Sequence, residues 1–570
     1  MAKMKDYPLY ETTVFEDFRI MTENVAKKYP DDPAFSYKEK ASDENTVVIT
    51  YSQVRDDQRD YGTGLVDLGC REKHCAIIGA GTVGWAYTYF SLMAIGSVTV
   101  PLDKEWPAKD LAAAVNRAHC EYVFYSSEIA DKIEVLRAEC PQIKNFVCMW
   151  GTPVQGDLCR VYLTGKGHEL FLGGDNTYYD YEIDPDRMAS IVFTSGTTGK
   201  GKGVMLSQTN ICSDMTQGMY NFEVTRKTLC ALPLHHTFGS TANLVGHFAQ
   251  GSQIYFSNGL RYISKEMQEQ QPTHLVLVPL FLEKIHKKIW STARKTGKEK
   301  LLKTMMKVSN GMRKIGLDAR RKMFSSVLSS LGGKVEFVIC GGAPLNQELV
   351  YTFDAIGITI INGYGITECA PLVSVNRNKK CKPGSVGAPN IGELIKIREP
   401  NENGEGEICV KGSNVMLGYY EEPEATAAVF DEEGYFRTGD IGKVDEEGWL
   451  YITGRIKNLI ILANGKNVYP EEIEQDIAAI PGVEEVVVYA GESKSDATKE
   501  VIVAEIFPDY EFVQEMGIED VQKYFGDHVA EINQHVPSYK MVGLVKIRTT
   551  EFPKNTTRKI TRFAIDKTVD

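Results

Sequence analysis

The sequence predicts an α/β multidomain protein, and three observations carry that expectation. The chain has 570 residues, which at about 150 residues per domain means three or four compact units. Over roughly its first 450 residues, short β-rich runs alternate with helical stretches, the pattern of parallel sheets covered by helices. Its apolar share of 43% and charged share of 25% are ordinary for globular chains and leave material for several cores.

The elements follow in order. HCAIIG (74–79), SVTVPL (97–102), THLVLVPL (273–280) and VEFVICGG (335–342) read as buried strands, because β-branched and apolar residues run together in them. The lysine-rich stretch 283–326 reads as amphipathic helices whose charges form a solvated face. From about Gly384 the texture changes to short strands broken by glycines and acidic turns, as in GEGEICVKG and DEEGWLYITG, which predicts antiparallel β in a small barrel or sandwich. After Gly454 the chain returns to α/β. Pro470 with Glu471 and Glu472 suits a helix start, Ile473, Ile477 and Ile480 form its buried stripe, and Pro481-Gly482 stops it before the strand EEVVVYA.

Composition excludes some functions. The net charge of −12 is spread along the chain and argues against a protein that binds the nucleic-acid backbone. Twelve cysteines without a Cys-x-x-Cys pair fit a reducing compartment. The N-terminus has no apolar core behind its lysines, and the longest apolar stretch, 275–282, is interrupted by Pro279 and too short to span a bilayer. These features predict a soluble, cytoplasmic protein without a transmembrane segment.

Two glycine-rich turns compete as phosphate sites. GAGTVG (79–84) satisfies G-x-G-x-x-G after a strand, with Asp103 about 20 residues on, and supplies only the runner-up reading, an NAD(P)-dependent oxidoreductase, because such a turn also occurs for packing alone. FTSGTTGKGKGVMLS (193–207) follows the apolar run ASIVF and strings together Thr194, Ser195, Gly196, Thr197, Thr198 and Gly199 before Lys200 and Lys202. Glycines admit an anion close to the backbone, hydroxyls and N–H groups donate to its oxygens, and the lysines add charge, so this is a polyphosphate grip. Gly196 and Gly201-Lys202 have the Walker spacing, but Gly203 stands where a magnesium-binding hydroxyl should be.

The 193–207 string resembles the signature of the adenylate-forming superfamily, which includes acyl-CoA synthetases, luciferases and the adenylation domains of peptide synthetases. That family usually has proline where this chain has Gly201. Further family stretches follow in order: CGGAPLNQEL from Cys340, NGYGITE from Asn362 to Glu368, YFRTGD ending in Asp440, GRIKNLIILANGKNVYPEEIE from Gly454, and EFPKNTTRKITR from Glu551. The resemblance implies a large N-terminal domain (1–454) of two layered α/β subdomains plus a small β-barrel, and a small mobile α+β C-terminal lid domain (455–570). It places Gly342, Ala343 and Pro344 along the adenine, with Asn362, Gly363 and the Tyr364 ring beside the purine. It puts Thr367 near the phosphates, Glu368 and Thr194 on Mg2+, and Asp440 and Arg455 on the ribose. Lys457 matches the family hinge, and Lys559 matches its catalytic lysine, although Arg558 replaces the frequent glycine before it.

The implied activity is ATP-dependent activation of a carboxylic acid to an acyl-adenylate, followed by thioester formation. A carboxylate is a poor acyl donor until its oxygen is made part of AMP. Both reactants are anions, so positioning and charge neutralisation carry the step. LPLHHTFGS resembles the segment beside the acyl pocket, with His236 facing the reacting carboxylate. The spelling around 457–474 and the T-x-x-K-I-x-R ending look most like the fatty acyl-CoA synthetase branch acting on medium to long chains. CoA is the expected acceptor. An acyl carrier protein, an aryl carboxylate substrate and peripheral membrane contact stay open.

Overall fold

The computed structural model describes residues 9–194, 201–224, 226–378, 380–462, 466–491, 501–554 and 560–569. Lys559, most of the phosphate loop and the ANG run of the 463–467 loop therefore lie outside the described residues.

Eight strands form the largest sheet, in the order Gly418–Tyr419, Gly203–Ser207, Met188–Phe193, Val98–Leu102, His74–Ile78, Tyr122–Ser126, Asn145–Trp150 and Leu158–Cys159. Its middle is parallel, and Gly203–Ser207 folds back antiparallel on Met188–Phe193. Strands that are buried on both faces are mostly apolar, which is why Val98–Leu102 and Tyr122–Ser126 carry few polar side chains, with the Thr99 hydroxyl hydrogen-bonded to the Ala189 carbonyl. A second sheet orders His274–Leu277, Phe337–Cys340, Thr359–Gly365, Leu372–Val375 and Ala388–Pro389, parallel at first and antiparallel after Gly365. A third places Pro33–Tyr37 beside Gln253–Phe256, so the N-terminus closes a layer begun more than two hundred residues later.

Two strand expectations end early for a physical reason. The run 273–280 is a strand only to Leu277, because Pro279 lacks an N–H for the ladder and instead opens the helix Pro279–Lys295 at its first position. The stretch 283–326 is indeed helical, broken between Lys295 and Glu299 and again after Lys314. The predicted antiparallel region is a four-stranded sheet of Leu394–Arg398, Gly406–Lys411, Phe436–Val444 and Leu450–Arg455.

Beyond Arg455 a separate apolar cluster gathers Ile473, Ile477, Ile480, Val488, Ile506 and Phe525. It joins the helices Pro470–Ala478 and Val521–Asn533 to a three-stranded sheet. The predicted isoleucine stripe is the buried one. All twelve cysteines are unpaired thiols.

Candidate functional site

The antiparallel return of Gly203–Ser207 onto Met188–Phe193 brings the two ends of the phosphate loop together. Phe193 pairs with Gly203, and the Thr194 N–H donates to the Lys202 carbonyl at 2.9 Å. Ser195, Gly196, Thr197, Thr198 and Gly199, which the sequence places in the grip, lie outside the described residues. The Lys202 ammonium sits 4.2 Å from the centroid of the Tyr419 ring. The Tyr419 hydroxyl donates to Glu368 Oε1 at 2.9 Å. One aromatic side chain thus holds a cation on its face and a carboxylate at its hydroxyl. Burial, with Glu368 beside it, pushes the Tyr419 phenol far above its ordinary range, so it stays a donor. Arg117 donates to the Gly201 carbonyl and pairs with Glu422, which anchors the loop's exit. Sequence reasoning missed both Tyr419 and Arg117.

The strand Thr359–Gly365 delivers Asn362, Gly363 and Tyr364 to the same region, and the short 3₁₀ turn Thr367–Cys369 presents Thr367 and Glu368. Register places Asp440 opposite Arg455 on neighbouring strands. The Asp440 carboxylate is 2% exposed. Its Oδ1 meets Arg455 Nε at 2.8 Å and its Oδ2 accepts from the Tyr364 hydroxyl at 2.6 Å. Burial and the Asp440 charge hold the Tyr364 phenol well above its usual value. The Asn362 amide donates to the Ser385 carbonyl at 3.2 Å. Beside this strand, a Cβ on Gly341 would lie 3.1 Å from the Gly363 carbonyl. The following turn needs the left-handed backbone of Gly342 (φ +84°), and it leaves Ala343 and Pro344 exposed at the rim.

The His235-His236 turn completes the site. The His236 carbonyl accepts from the N–H groups of Gly239 and Ser240 at 2.9 Å each, which starts the π-helical segment Phe238–Val245. A Cβ on Gly239 would come within 2.1 Å of the Pro233 carbonyl, so only glycine admits this tight turn. The two imidazoles stand 4.2 Å apart. Burial and nearby Lys104 lower His235 to about 4, leaving it neutral, with Nε2 3.7 Å from Asp103 Oδ2. The tip of Phe238 lies 3.7 Å from the point where a Gly341 side chain would begin.

The competing turn at 79–84 serves packing. A Cβ on Gly84 would lie 2.3 Å from the Met149 carbonyl, and one on Gly79 would lie 2.1 Å from Ser126 Oγ. Glu128 takes the Ala80 N–H at 2.5 Å, and the Thr82 hydroxyl caps the helix that follows. A carboxylate stands where a dinucleotide would need room for its own anion, and Asp103 faces His235. The geometry does not support the oxidoreductase reading.

Lys457 is exposed on the 3₁₀ turn Ile456–Asn458. Lys559 lies outside the described residues, but the residues that bracket it, Lys554 and Ile560, pair antiparallel. Among the described residues, no three acidic, histidine or cysteine groups converge as a metal cage. Magnesium is held typically by one or two carboxylates plus phosphate oxygens, and Glu368, with only Oε1 engaged among the described residues, fits that use.

The fold and this site define an adenylate-forming ligase. Residues 22–420 match the AMP-binding enzyme family, and the chain belongs to it. Long-chain-fatty-acid–CoA ligase 1 of Cavia porcellus is 31% identical over 494 residues, covering 81% of this chain and 70% of that protein. Long-chain-fatty-acid–CoA ligase 5 of Rattus norvegicus is 30% identical over 456 residues, 75% of this chain and 66% of its own length. The anthranilate CoA ligase AuaEII, solved with anthranoyl-AMP, shares the fold at a TM-score of 0.74 and 19% identity, with 98% of each chain covered. The chain is accordingly an AMP-forming acyl-CoA synthetase that uses ATP, Mg2+ and CoA. Among the described residues, no helix is long and apolar enough to cross a membrane.

Proposed function

We propose that this enzyme activates a medium- to long-chain fatty acid as its acyl-adenylate and then transfers the acyl group to CoA, acting in the cytoplasm. The observation that carries the reading is the Tyr364–Asp440–Arg455 cluster. It offers a buried, oriented carboxylate to a ribose beside the Lys202–Tyr419–Glu368 chain, a cation and an acid suited to polyphosphate.

In the first half-reaction the substrate carboxylate, faced by His236, attacks the α-phosphorus of ATP and pyrophosphate leaves. Lys559 bridges carboxylate and α-phosphate, while the 194–202 loop, with Thr367 near the phosphates, holds the departing pyrophosphate. Gly342, Ala343 and Pro344 run along the adenine, with Asn362, Gly363 and the Tyr364 ring against it. Asp440 accepts from the ribose hydroxyls and Arg455 supports the sugar. Glu368, with Thr194, would hold a magnesium ion, which when bound neutralises charge on phosphate oxygens.

In the second half-reaction the 455–570 lid turns about Lys457, withdraws Lys559 and brings the loop around Gly465 to the site, so that a thiol reaches the acyl carbon. CoA is the acceptor this reading favours, with an acyl carrier protein as the rival and peripheral membrane contact as a route to apolar substrate. Carboxylate-dependent ATP–pyrophosphate exchange, run across chain lengths and followed by thioester formation with CoA or carrier protein, tests all of this. Exchange with no acid of any length would end the reading.

A further inference from the structure

The segment from His236 onward leads from the reacting end into the protein, and its far end is polar. Asn243, His247 and His274 are each at most 1% exposed. The His247 and His274 rings stack at 5.0 Å and 10°, and His274 stacks in turn on Phe337 at 5.2 Å. Among the described residues, four polar atoms there have no hydrogen-bond partner: both amide atoms of Asn243 and the Nε2 atoms of both histidines. Buried polar atoms in native proteins are nearly always paired, so four in one place are suited to take a polar occupant.

The surrounding bonds define what that occupant must be. His247 Nδ1 faces the Ala242 carbonyl at 2.9 Å, so its proton sits on Nδ1 and its Nε2 is a bare acceptor. Thr273 donates its hydroxyl proton to the Lys227 carbonyl at 3.2 Å, and its oxygen lies 3.0 Å from His274 Nδ1. His274 must therefore donate from Nδ1, which leaves its Nε2 bare as well. Burial lowers His247 to about 4 and His274 well below its usual value, so both rings are neutral. Two bare acceptors beside an amide suit a group that donates one proton and also accepts, which is a hydroxyl. A ketone or a carboxylate cannot donate.

Two rulers place this cluster relative to the reacting end. The strand Phe337–Cys340 runs from Phe337, under the histidine stack, to Gly341, beside Phe238. At about 3.3 Å per residue that is roughly 13 Å. The segment from Phe238 to His247 is π-helical through Val245 and rises less per residue than an α-helix, so it spans somewhat less. Contacts join helix and strand at both ends: Phe238 beside Gly341, and His247 through His274 to Phe337. Between them, Val276, Ile339 and Ile361 form an apolar wall, and Phe238, Ala242 and Val278 keep partial exposure at the mouth. An extended chain gains about 1.2 Å per bond, so 13 Å corresponds to about eleven bonds.

We propose that Asn243, His247 and His274 form a specificity subsite for a mid-chain hydroxyl, and that the substrates include fatty acids hydroxylated near carbons ten to twelve. This rests on the acyl-CoA synthetase reading and names its substrate class. The test measures kcat/KM for thioester formation by the full chain with octadecanoate, its 10- and 12-hydroxy derivatives, the 12-oxo derivative and the 2-hydroxy acid. The mid-chain hydroxy acids should exceed octadecanoate by about 10- to 100-fold, the oxo and 2-hydroxy acids should not, and Asn243→Leu and His274→Phe should bring the ratio to about one. Octadecanoate equal to or better than the hydroxy acids in the wild type would mean that the cluster holds only buried water and would overturn the proposal, as would a preference that survives both substitutions. If a variant does not fold, the wild-type hydroxy-against-oxo comparison decides alone. Absence of exchange with every acid would instead refute the parent reading.

Discussion

Removing the Tyr364 hydroxyl isolates one interaction in the nucleotide site. Tyr364→Phe keeps the ring that the proposed site sets against the purine and deletes only the 2.6 Å donor to the Asp440 carboxylate. Asp440 is 2% exposed, so water cannot replace that donor. A hydrogen bond to a charged group contributes about 1.5–3 kcal/mol, which corresponds to roughly 10- to 150-fold in an equilibrium constant. Arg455, on the other oxygen at 2.8 Å, has a side chain 58% exposed. A solvent-screened ion pair contributes about 0–1 kcal/mol, or at most roughly fivefold. The expected order is therefore a 10- to 150-fold rise in KM for ATP for Tyr364→Phe, and at most about a fivefold rise from the lost pair for Arg455→Met. ATP–pyrophosphate exchange at saturating fatty acid reads both. An unchanged KM for ATP in Tyr364→Phe, or a parallel rise in KM for the acid, would show that Asp440 does not orient the nucleotide.

Three other perturbations have definite expected outcomes. Helix Pro279–Lys295 meets Tyr510–Glu515 through Lys287–Asp509 at 2.8 Å and Arg294–Glu515 at 3.1 Å, so Glu515→Arg should loosen this contact and expose the 455–469 connection to protease. The double swap with Arg294→Glu should restore protection, and equal cleavage rates in all three proteins would remove the latch role. Glu393 and Asp214 are buried together, and desolvation holds both carboxyls well above their ordinary values. Their folded forms keep protons that the unfolded chain releases, so stability is full at acid pH and falls as pH rises past the ordinary carboxylate range. Glu393→Gln should flatten that fall in denaturant titrations at several pH values, and a wild-type-like slope would contradict it. Lys559→Ala should lose acyl-adenylate formation by about 10²- to 10³-fold yet still thioesterify a supplied acyl-adenylate, whereas Lys457→Pro should do the reverse. Equal losses in both half-reactions for either variant would break the lid argument.

What was legible in the sequence was local. The parallel strands and the isoleucine stripe after Pro470 depend on neighbours in the chain, and the structure forms both. Thr194 with Lys202, and Asp440 with Arg455, come together because strand register does what short motifs encode. Tyr419 and Arg117 were not legible. Tyr419 arrives on a two-residue edge strand beside Gly203–Ser207, more than two hundred residues downstream, and GYY in isolation reads as a turn. Arg117 reads as one more charge at a helix end until the fold sets it against Gly201.

The two glycine-rich turns show why a motif becomes a site only through its surroundings. Both follow parallel strands of one sheet, and both are glycine-rich. At 79–84 the protein supplies an anion itself, through Glu128, and would push side chains at Gly79 and Gly84 into Ser126 and Met149. At the described C-terminal end of the 194–202 loop, Lys202 lies instead on the face of Tyr419, whose hydroxyl donates to Glu368. Converting Glu128 to Gln would leave the first turn's N–H paired to a neutral oxygen and should create no dinucleotide affinity, because the glycines are filled from the other side. NADH binding by Glu128→Gln, read by fluorescence titration, would show that one carboxylate was all that separated the two turns.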